Sequence, residues 1–311
     1  MLLESLAVFL LASMVLVKSA SFAVKSVSDI AGHFRFSDFF IAFVLAGFIS
    51  TMPELFIGVN SALIGQPDVG LGTIIGSNIA DMTIVVGLIA LVGRQIKADA
   101  MIRKNNFYFL AVTSLPVLLM LDGGLSRDDG LILVLAFFFY MSRLFEKEKI
   151  FAKKKRDDYK RLLRNIGIFA LSMAVLFVSA HFIVEAAVNI SLELLIPSII
   201  VGLFLVSFGT TLPELTFSLR AVLAKHKEIA LGDIMGNVAI DSTFSIGIVA
   251  LLGPVSTGFT VFATSMLFMV FSALLVITLL QNHAKITWEE SFLLFFLYAM
   301  FVIIELKGVF V

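Results

Sequence analysis

The stretch "TMPELF", residues 51–56, sets a proline beside a glutamate inside a long apolar run. Proline lacks a backbone donor and breaks or kinks a helix. A carboxylate at membrane depth costs at least ~2.5 kcal/mol. The same pair of costs recurs as "TLPELT", residues 211–216. The two copies stand 160 positions apart, and that offset organises the whole chain.

Sliding the sequence by 160 lays "FISTMPEL" (48–55) over "FGTTLPEL" (208–215). It lays "GLGTIIGSNIADMTIVVGLIALVG" (70–93) over "ALGDIMGNVAIDSTFSIGIVALLG" (230–253). There Leu71, Gly72, Ile74, Gly76, Asp81, Thr83, Gly87, Ala90, Leu91 and Gly93 each meet an identical residue. "SASFAV" (19–24) falls on "SAHFIV" (179–184) at the same offset. One offset shared by three segments reads as an internal duplication.

Composition supplies the medium. Of 311 residues, 59% are hydrophobic and 15% charged, and the mean hydropathy is +1.04. A membrane α-helical protein fits these values and a soluble domain does not. The net charge of zero points to no acidic or basic partner, and nucleic acid is not expected. The absence of cysteine excludes disulfides, thiolate metal sites and cysteine nucleophiles. The N-terminal apolar run starts with Glu4 and no basic residue, so it reads as a retained first helix rather than a signal peptide.

Apolar runs long enough to span, at roughly 20 residues each, lie near 3–27, 36–64, 70–93, 107–122, 128–146, 165–187, 194–224, 229–253, 257–280 and 288–307. With the N-terminus outside, the inner loops and flanks hold Lys18, Lys25, Arg35, Arg94, Lys97, Arg103, Lys104, Arg143, Lys225, Lys227 and Lys285. They also hold the run "EKEKIFAKKKRDDYKRLLR", 146–164, read as a solvated topological anchor rather than a lipid-headgroup or regulatory segment. Little more than Arg127 and Lys307 remains outside. This positive-inside bias predicts an all-α polytopic membrane protein, N-out and C-out, with ten transmembrane helices. The expected organisation is a first five-helix repeat (1–145), a cytoplasmic basic loop (146–164) and a second repeat (165–311). Five is odd, so the second repeat enters the membrane in the opposite sense. Both motif copies are then expected near the midplane, as in many secondary transporters.

The repeated polar residues are of one chemical kind. Glu54, Glu214, Asp81 and Asp241 are carboxylates, and Ser50, Thr51, Thr210, Thr211, Ser77, Asn78 and Asn237 add neutral oxygens. Gly76 and Gly236 let backbones approach and expose carbonyls. An all-oxygen set without sulfur or imidazole suits Ca²⁺, Na⁺, Mg²⁺ or Mn²⁺ and disfavours zinc or copper. One intramembrane carboxylate would pass as helix–helix glue, and one glycine-rich helix as tight packing. Four carboxylates in symmetric copies, each beside a helix breaker or a glycine, read as an ion site instead.

"TMPEL…GSNIAD" and "TLPEL…GNVAID" closely resemble the two α-repeats of the cation/Ca²⁺ antiporter superfamily, its sodium/calcium exchanger branch in particular. The resemblance implies a ten-helix exchanger with four central cation sites, at which the two glutamates bind Ca²⁺ and Na⁺ alternately. The implied ligands are Glu54, Glu214, Asp241, Thr51, Thr211, Ser77 and the backbone carbonyls of Gly47 and Ser207. This chain departs in two places: Asp81 stands where such exchangers often carry asparagine, and Asn237-Val238 where their second repeat often reads Ser-Asn. Four crowded carboxylates do not all stay ionised when empty, because like charges repel. Proton coupling or another stoichiometry therefore stays open beside Na⁺.

The expectation is a secondary active antiporter of the cell membrane that exchanges Ca²⁺ for Na⁺ by alternating access. The alternatives are exchange of Ca²⁺ or another divalent cation for H⁺, a K⁺-dependent exchanger, and, more distantly, a passive cation channel. The first and sixth helices are expected to be the moving pair, on the family resemblance. No nucleophile constellation, cofactor motif or phosphate loop marks an enzyme or an ATP-driven pump. No cofactor or protein partner is inferred beyond the ions and the bilayer, and a monomer is compatible with this. Asp233, near the start of the eighth helix, reads either as a cation attractor in an inner vestibule or as a helix-start residue. His181 and Glu185, one turn apart, read as a local pair rather than a proton relay. His33, His226 and His283 fall in expected loops, and Trp288 is expected at the membrane interface.

Overall fold

Lipid offers no partner to a bare backbone, so an apolar chain of this kind closes its hydrogen bonds within helices. A computed structural model describes residues 2–33, 47–97, 100–145, 159–225, 227–255, 259–283 and 285–310. The start of the expected span 36–64, Arg35, His226 and positions 146–158 of the basic run lie outside the described residues, as do the side chains of His33, Arg103, Lys104 and His283.

In chain order the helices are α1 (Leu2–His33), α2 (Gly47–Ser50), α3 (Met52–Leu63), α4 (Pro67–Ala80), α5 (Val86–Gly93), α6 (Ala100–Leu119) and α7 (Arg127–Phe145). They continue as α8 (Tyr159–Leu194), α9 (Ser198–Ile200), α10 (Ser207–Leu223), α11 (Lys227–Ile240), α12 (Ile246–Leu252), α13 (Phe259–His283) and α14 (Ser291–Phe310). Each apolar stretch read from the sequence is helical over most of its described residues. Among the described residues, six helices are long and apolar enough to cross a membrane: Leu2–Ile30, Pro67–Gly93, Tyr159–Leu194, Ser198–Leu223, Ala230–Leu252 and Phe262–Gln281.

Three of these long helices carry a wider π turn, which periodicity did not predict. The turns are Asp81–Val85 between α4 and α5, Val201–Val206 between α9 and α10, and Asp241–Ser245 between α11 and α12. The first and third fall on each other under the offset of 160, and each starts at an aspartate. Such turns recur at functional sites.

The two prolines behave differently from each other. Pro53 sits in the first turn of α3, where its missing donor costs little, and Thr51 separates that helix from α2. Pro213 lies inside α10, which runs on unbroken from Ser207 to Leu223. The expected helix break is thus present at the first copy and absent at the second.

Glycines bring the halves of the chain into backbone contact. A Cβ on Gly76 would lie 2.3 Å from the Leu203 carbonyl oxygen, and one on Gly202 would lie 2.5 Å from that of Val69. Only glycine permits so close a crossing of α4 and the Val201–Val206 turn. Elsewhere α1 lies along α8, with Leu16, Ala20, Leu176, Ala180 and Ile183 in a shared apolar seam.

Two short pairings tie the halves at their ends. β1 (Gln95–Lys97) runs antiparallel to β2 (Lys285–Thr287), with Ile96 opposite Ile286. An isolated bridge joins Leu125 to Val255. The helix α6 runs from just after the ribbon to just before Leu125, which sets ribbon and bridge at its opposite ends. The same offset of 160 carries Gln95 onto Val255 and Leu125 onto Lys285, so it exchanges one pairing for the other.

Gly76→Ala is expected to force α4 off the Val201–Val206 turn and destabilise the protein by about 1–3 kcal/mol. Gly167→Ala, where an added Cβ meets nothing within 4 Å, should leave stability unchanged or raise it slightly. Thermal unfolding of the two variants in detergent checks the contrast.

Candidate functional site

The first turn of α3 presents Glu54, where the positive end of a helix favours a carboxylate. Glu54 is 0% exposed, and neither of its oxygens has a hydrogen-bond partner. The Thr210 hydroxyl of the other half is a neighbour of this carboxylate. Glu214 is also buried; its Oε1 accepts from Asn237 Nδ2 at 2.9 Å, and its Oε2 has no partner. Asn237 Oδ1 lies 3.0 Å from the Ser50 hydroxyl, which also reaches the Gly47 carbonyl at 2.8 Å. Ser50, Asn237 and Glu214 thus form a polar chain from α2 to α10.

The aspartates open the π turns toward the glutamates. Asp81 and Glu214 bring their carboxyl groups within hydrogen-bonding reach of each other, with one oxygen on each left unpartnered. Asp241 has the Glu54 carboxylate of the other half as a neighbour. Each aspartate therefore faces the glutamate of the other half. Asp241 Oδ1 accepts from the Ser245 hydroxyl at 2.6 Å. The position matching Ser245 is Val85, so Asp81 has no equivalent donor.

The neutral residues divide into two groups. Thr51 donates to Phe48 O at 3.0 Å, Thr210 to Ser207 O at 3.0 Å and Ser77 to Ile74 O at 3.0 Å. Ser207 donates to Leu203 O. These hydroxyls are spent on their own helices but keep oxygen lone pairs. Thr211 Oγ1 and Asn78 Oδ1 are buried without partners. The Asn78 amide reaches Ser242 Oγ at 3.2 Å and Met269 Sδ at 3.5 Å. No group of three acidic or histidine side chains among the described residues is tight enough to cage a metal alone. Coordination here would draw on hydroxyl, amide and carbonyl oxygens as well.

Ser242, Ser245 and Met269 were not singled out from the sequence. Ser245 was within reach of such reasoning, being one helical turn beyond Asp241, whereas nothing along the chain signals Met269. Asp233 is corrected in part: it lies six residues past the start of α11, two turns in, so it is not a helix-start residue. It lines a cavity of about 200 Å³ together with Lys25, Ser50, Pro213, Glu214 and Arg220. His181 and Glu185 form a local pair at 3.4 Å, both half-exposed.

Buried carboxyl oxygens left open in the middle of an apolar helical bundle are the mark of a membrane ion transporter, and the fold agrees. The sodium-calcium exchanger NCX_Mj superposes with a TM-score of 0.70 at 25% identity, covering 97% of this chain and 99% of that one. The H⁺/Ca²⁺ exchanger CAX shares the fold with a TM-score of 0.78 at 17% identity, covering 97% and 87%. An uncharacterized membrane protein of Methanocaldococcus jannaschii is 27% identical over 242 residues, 78% of this chain and 80% of that relative. The sodium/calcium exchanger MaX1 of Methanosarcina acetivorans is 24% identical over an alignment of 340 positions, 96% of this chain and 97% of its own. The family described as sodium/calcium exchanger protein matches residues 4–145 and 164–307, and this chain belongs to it. It is a multi-pass membrane protein and a secondary transporter, not an enzyme.

Replacing Asn237 with alanine removes the donor to Glu214 and leaves a further buried oxygen bare. The ion-free protein is expected to lose about 1–3 kcal/mol of stability, part of which Ca²⁺ should restore. Thermal unfolding with and without the ion reads both effects.

Proposed function

We propose that this chain is a Ca²⁺/Na⁺ antiporter working by alternating access. Its ten transmembrane helices form two inverted five-helix repeats, 1–145 and 165–311, joined by the basic segment 146–164, with both termini outside. The exchange of the β1–β2 ribbon and the Leu125–Val255 bridge under the offset of 160 supports the inverted pairing.

One observation carries the ion site. Glu54 Oε1 and Oε2, Asp81 Oδ1, Glu214 Oε2, Thr211 Oγ1 and Asn78 Oδ1 are all buried with no partner in the protein. An unmet buried polar group costs about 1–3 kcal/mol, and more when charged. A desolvated Ca²⁺, or several Na⁺, meets these oxygens in common, which makes the two ions exclusive competitors. Bound cations neutralise the carboxylates, so the loaded site can change its accessible side, whereas the empty charged site resists doing so. The cavity from Glu214 to Lys25 and Arg220 corresponds, in this orientation, to a state open inward.

Sodium is preferred as counter-ion because the relative in Methanosarcina acetivorans and the structural neighbour NCX_Mj are both named sodium/calcium exchangers. Asp81 favours a second reading. Its carboxyl group meets that of Glu214 and lacks the donor that Ser245 gives Asp241, and two facing carboxyl groups are joined by a cation or by a shared proton. Exchange of Ca²⁺ for H⁺ follows if the proton is the one transported.

In proteoliposomes, Ca²⁺ should accumulate uphill under an imposed Na⁺ gradient and not under K⁺ or H⁺ gradients alone. Glu54→Gln and Glu214→Gln should each abolish ⁴⁵Ca²⁺ uptake into Na⁺-loaded vesicles; unchanged uptake in both would falsify the site. Uptake that only dissipates its own gradient would mark a channel. Asp81→Asn should preserve Na⁺-driven uptake and remove any H⁺-driven component, and if H⁺ alone drives the wild type, the second reading replaces the first.

A further inference from the structure

We propose that Asp233 is a one-sided relay for the cargo cation: a carboxylate that Ca²⁺ meets in the cavity between Lys25–Arg220 and Glu214, with no counterpart on the other half. This rests on the exchanger reading above and adds a step outside the central ligand set.

Three features of the cavity lead to it. Asp233 is 3% exposed, and its Oδ2 has no hydrogen-bond partner although it lines the same cavity as Glu214. No ion pair joins it to Lys25 or Arg220 among the described residues. It is therefore neither a surface acid nor half of a structural salt bridge. The cavity also has a charge order: Lys25 and Arg220 line it along with Asp233 and Glu214. Two basic groups on a cation's route raise a barrier, and a negative charge buried within the same cleft offsets it where low dielectric strengthens its field. Finally, Gly47 lies beside both Asp233 and Asn237. A Cβ there would stand 3.4 Å from Asn237 Oδ1 and 3.9 Å from Asp233 Oδ1. Asn237 in turn holds Glu214.

The offset of 160 makes the step asymmetric. Asp233 falls on Thr73, which is fully buried, carries no charge and donates its hydroxyl to Val69 O at 2.7 Å. A cation approaching from the opposite face meets no carboxylate at the matching depth. Asp233 thus sets how readily Ca²⁺ enters from the Lys25–Arg220 face, and leaves affinity from the other face to the central site.

The test uses the full chain in proteoliposomes. Because the protein has no cysteine, a single cysteine replacing Lys225 reports orientation through an impermeant thiol reagent. Asp233→Asn is expected to raise the KM for Ca²⁺ about tenfold from the Lys25–Arg220 face. The KM from the opposite face and the rate at saturating Ca²⁺ should stay as in the wild type. No change on either face, or an equal rise on both, overturns the relay. If Asp233→Asn does not fold, Asp233→Cys in the cysteine-free chain decides. A negatively charged methanethiosulfonate added from that face should restore the low KM, and a positively charged one should raise it further; equal effects of the two reagents overturn the proposal. Glu214→Gln is run alongside. Retained coupled flux in that variant sinks the exchanger site, and the side dependence of Asp233→Asn is still read independently.

Discussion

The structure turns on the cost of burying ionisable oxygens that no protein donor reaches. Glu54 has two such oxygens, and Asp81 and Glu214 one each. A soluble protein would answer with arginine, lysine or backbone amides. Here the surroundings are apolar side chains, hydroxyls spent on their own helices and glycine-lined crossings. On the proposed reading, the missing partner comes from outside the chain and can leave again, which is the requirement placed on a transport site.

Holding such groups together needs a rigid frame that spends no polar group of its own. Backbone-to-backbone contact supplies it. Gly76 and Gly202 let α4 and the Val201–Val206 turn meet without side chains between them. The π turns at Asp81 and Asp241 widen the helices where each aspartate faces the other half. The ribbon and the bridge pin opposite ends. The halves are thus interlocked near the carboxylates and tethered at the rims, while the long α1–α8 seam is apolar along Leu16, Ala20, Leu176 and Ala180 and clamped at one end by the Asp29–Arg161 ion pair at 3.1 Å.

The two halves are similar, not equal, and their differences fall around the carboxylates. Ser245 steadies Asp241, while its match Val85 leaves Asp81 bare. Asn237 holds Glu214, while both oxygens of Glu54 are open. Pro53 starts a helix, while Pro213 sits within one. Each difference alters what the site offers an ion approaching from one side relative to the other. On the proposed reading, counter-ion choice and sidedness are set by these unequal positions rather than by the shared motif.

Much of this was legible along the chain. Hydropathy set the medium, the constant offset revealed the duplication, and the cost of Glu54, Asp81, Glu214 and Asp241 in lipid pointed to the candidate site. These are properties of composition and spacing, which need no coordinates. Other features were beyond the sequence because they depend on what lies opposite each residue in space. Spacing cannot say that Asp81 meets Glu214, that Met269 touches Asn78, or that α10 runs through Pro213 unbroken. Asp233 shows the division most clearly. Its position suggested a helix start or a vestibule, and the first was removed only once α11 was seen to begin at Lys227, six residues earlier. The sequence by itself determined which groups are too costly to be idle in a membrane. The tertiary structure decided which of them face one another, because contact between residues more than a hundred positions apart, such as Asp81 and Glu214, is set by helix packing and not by local preference.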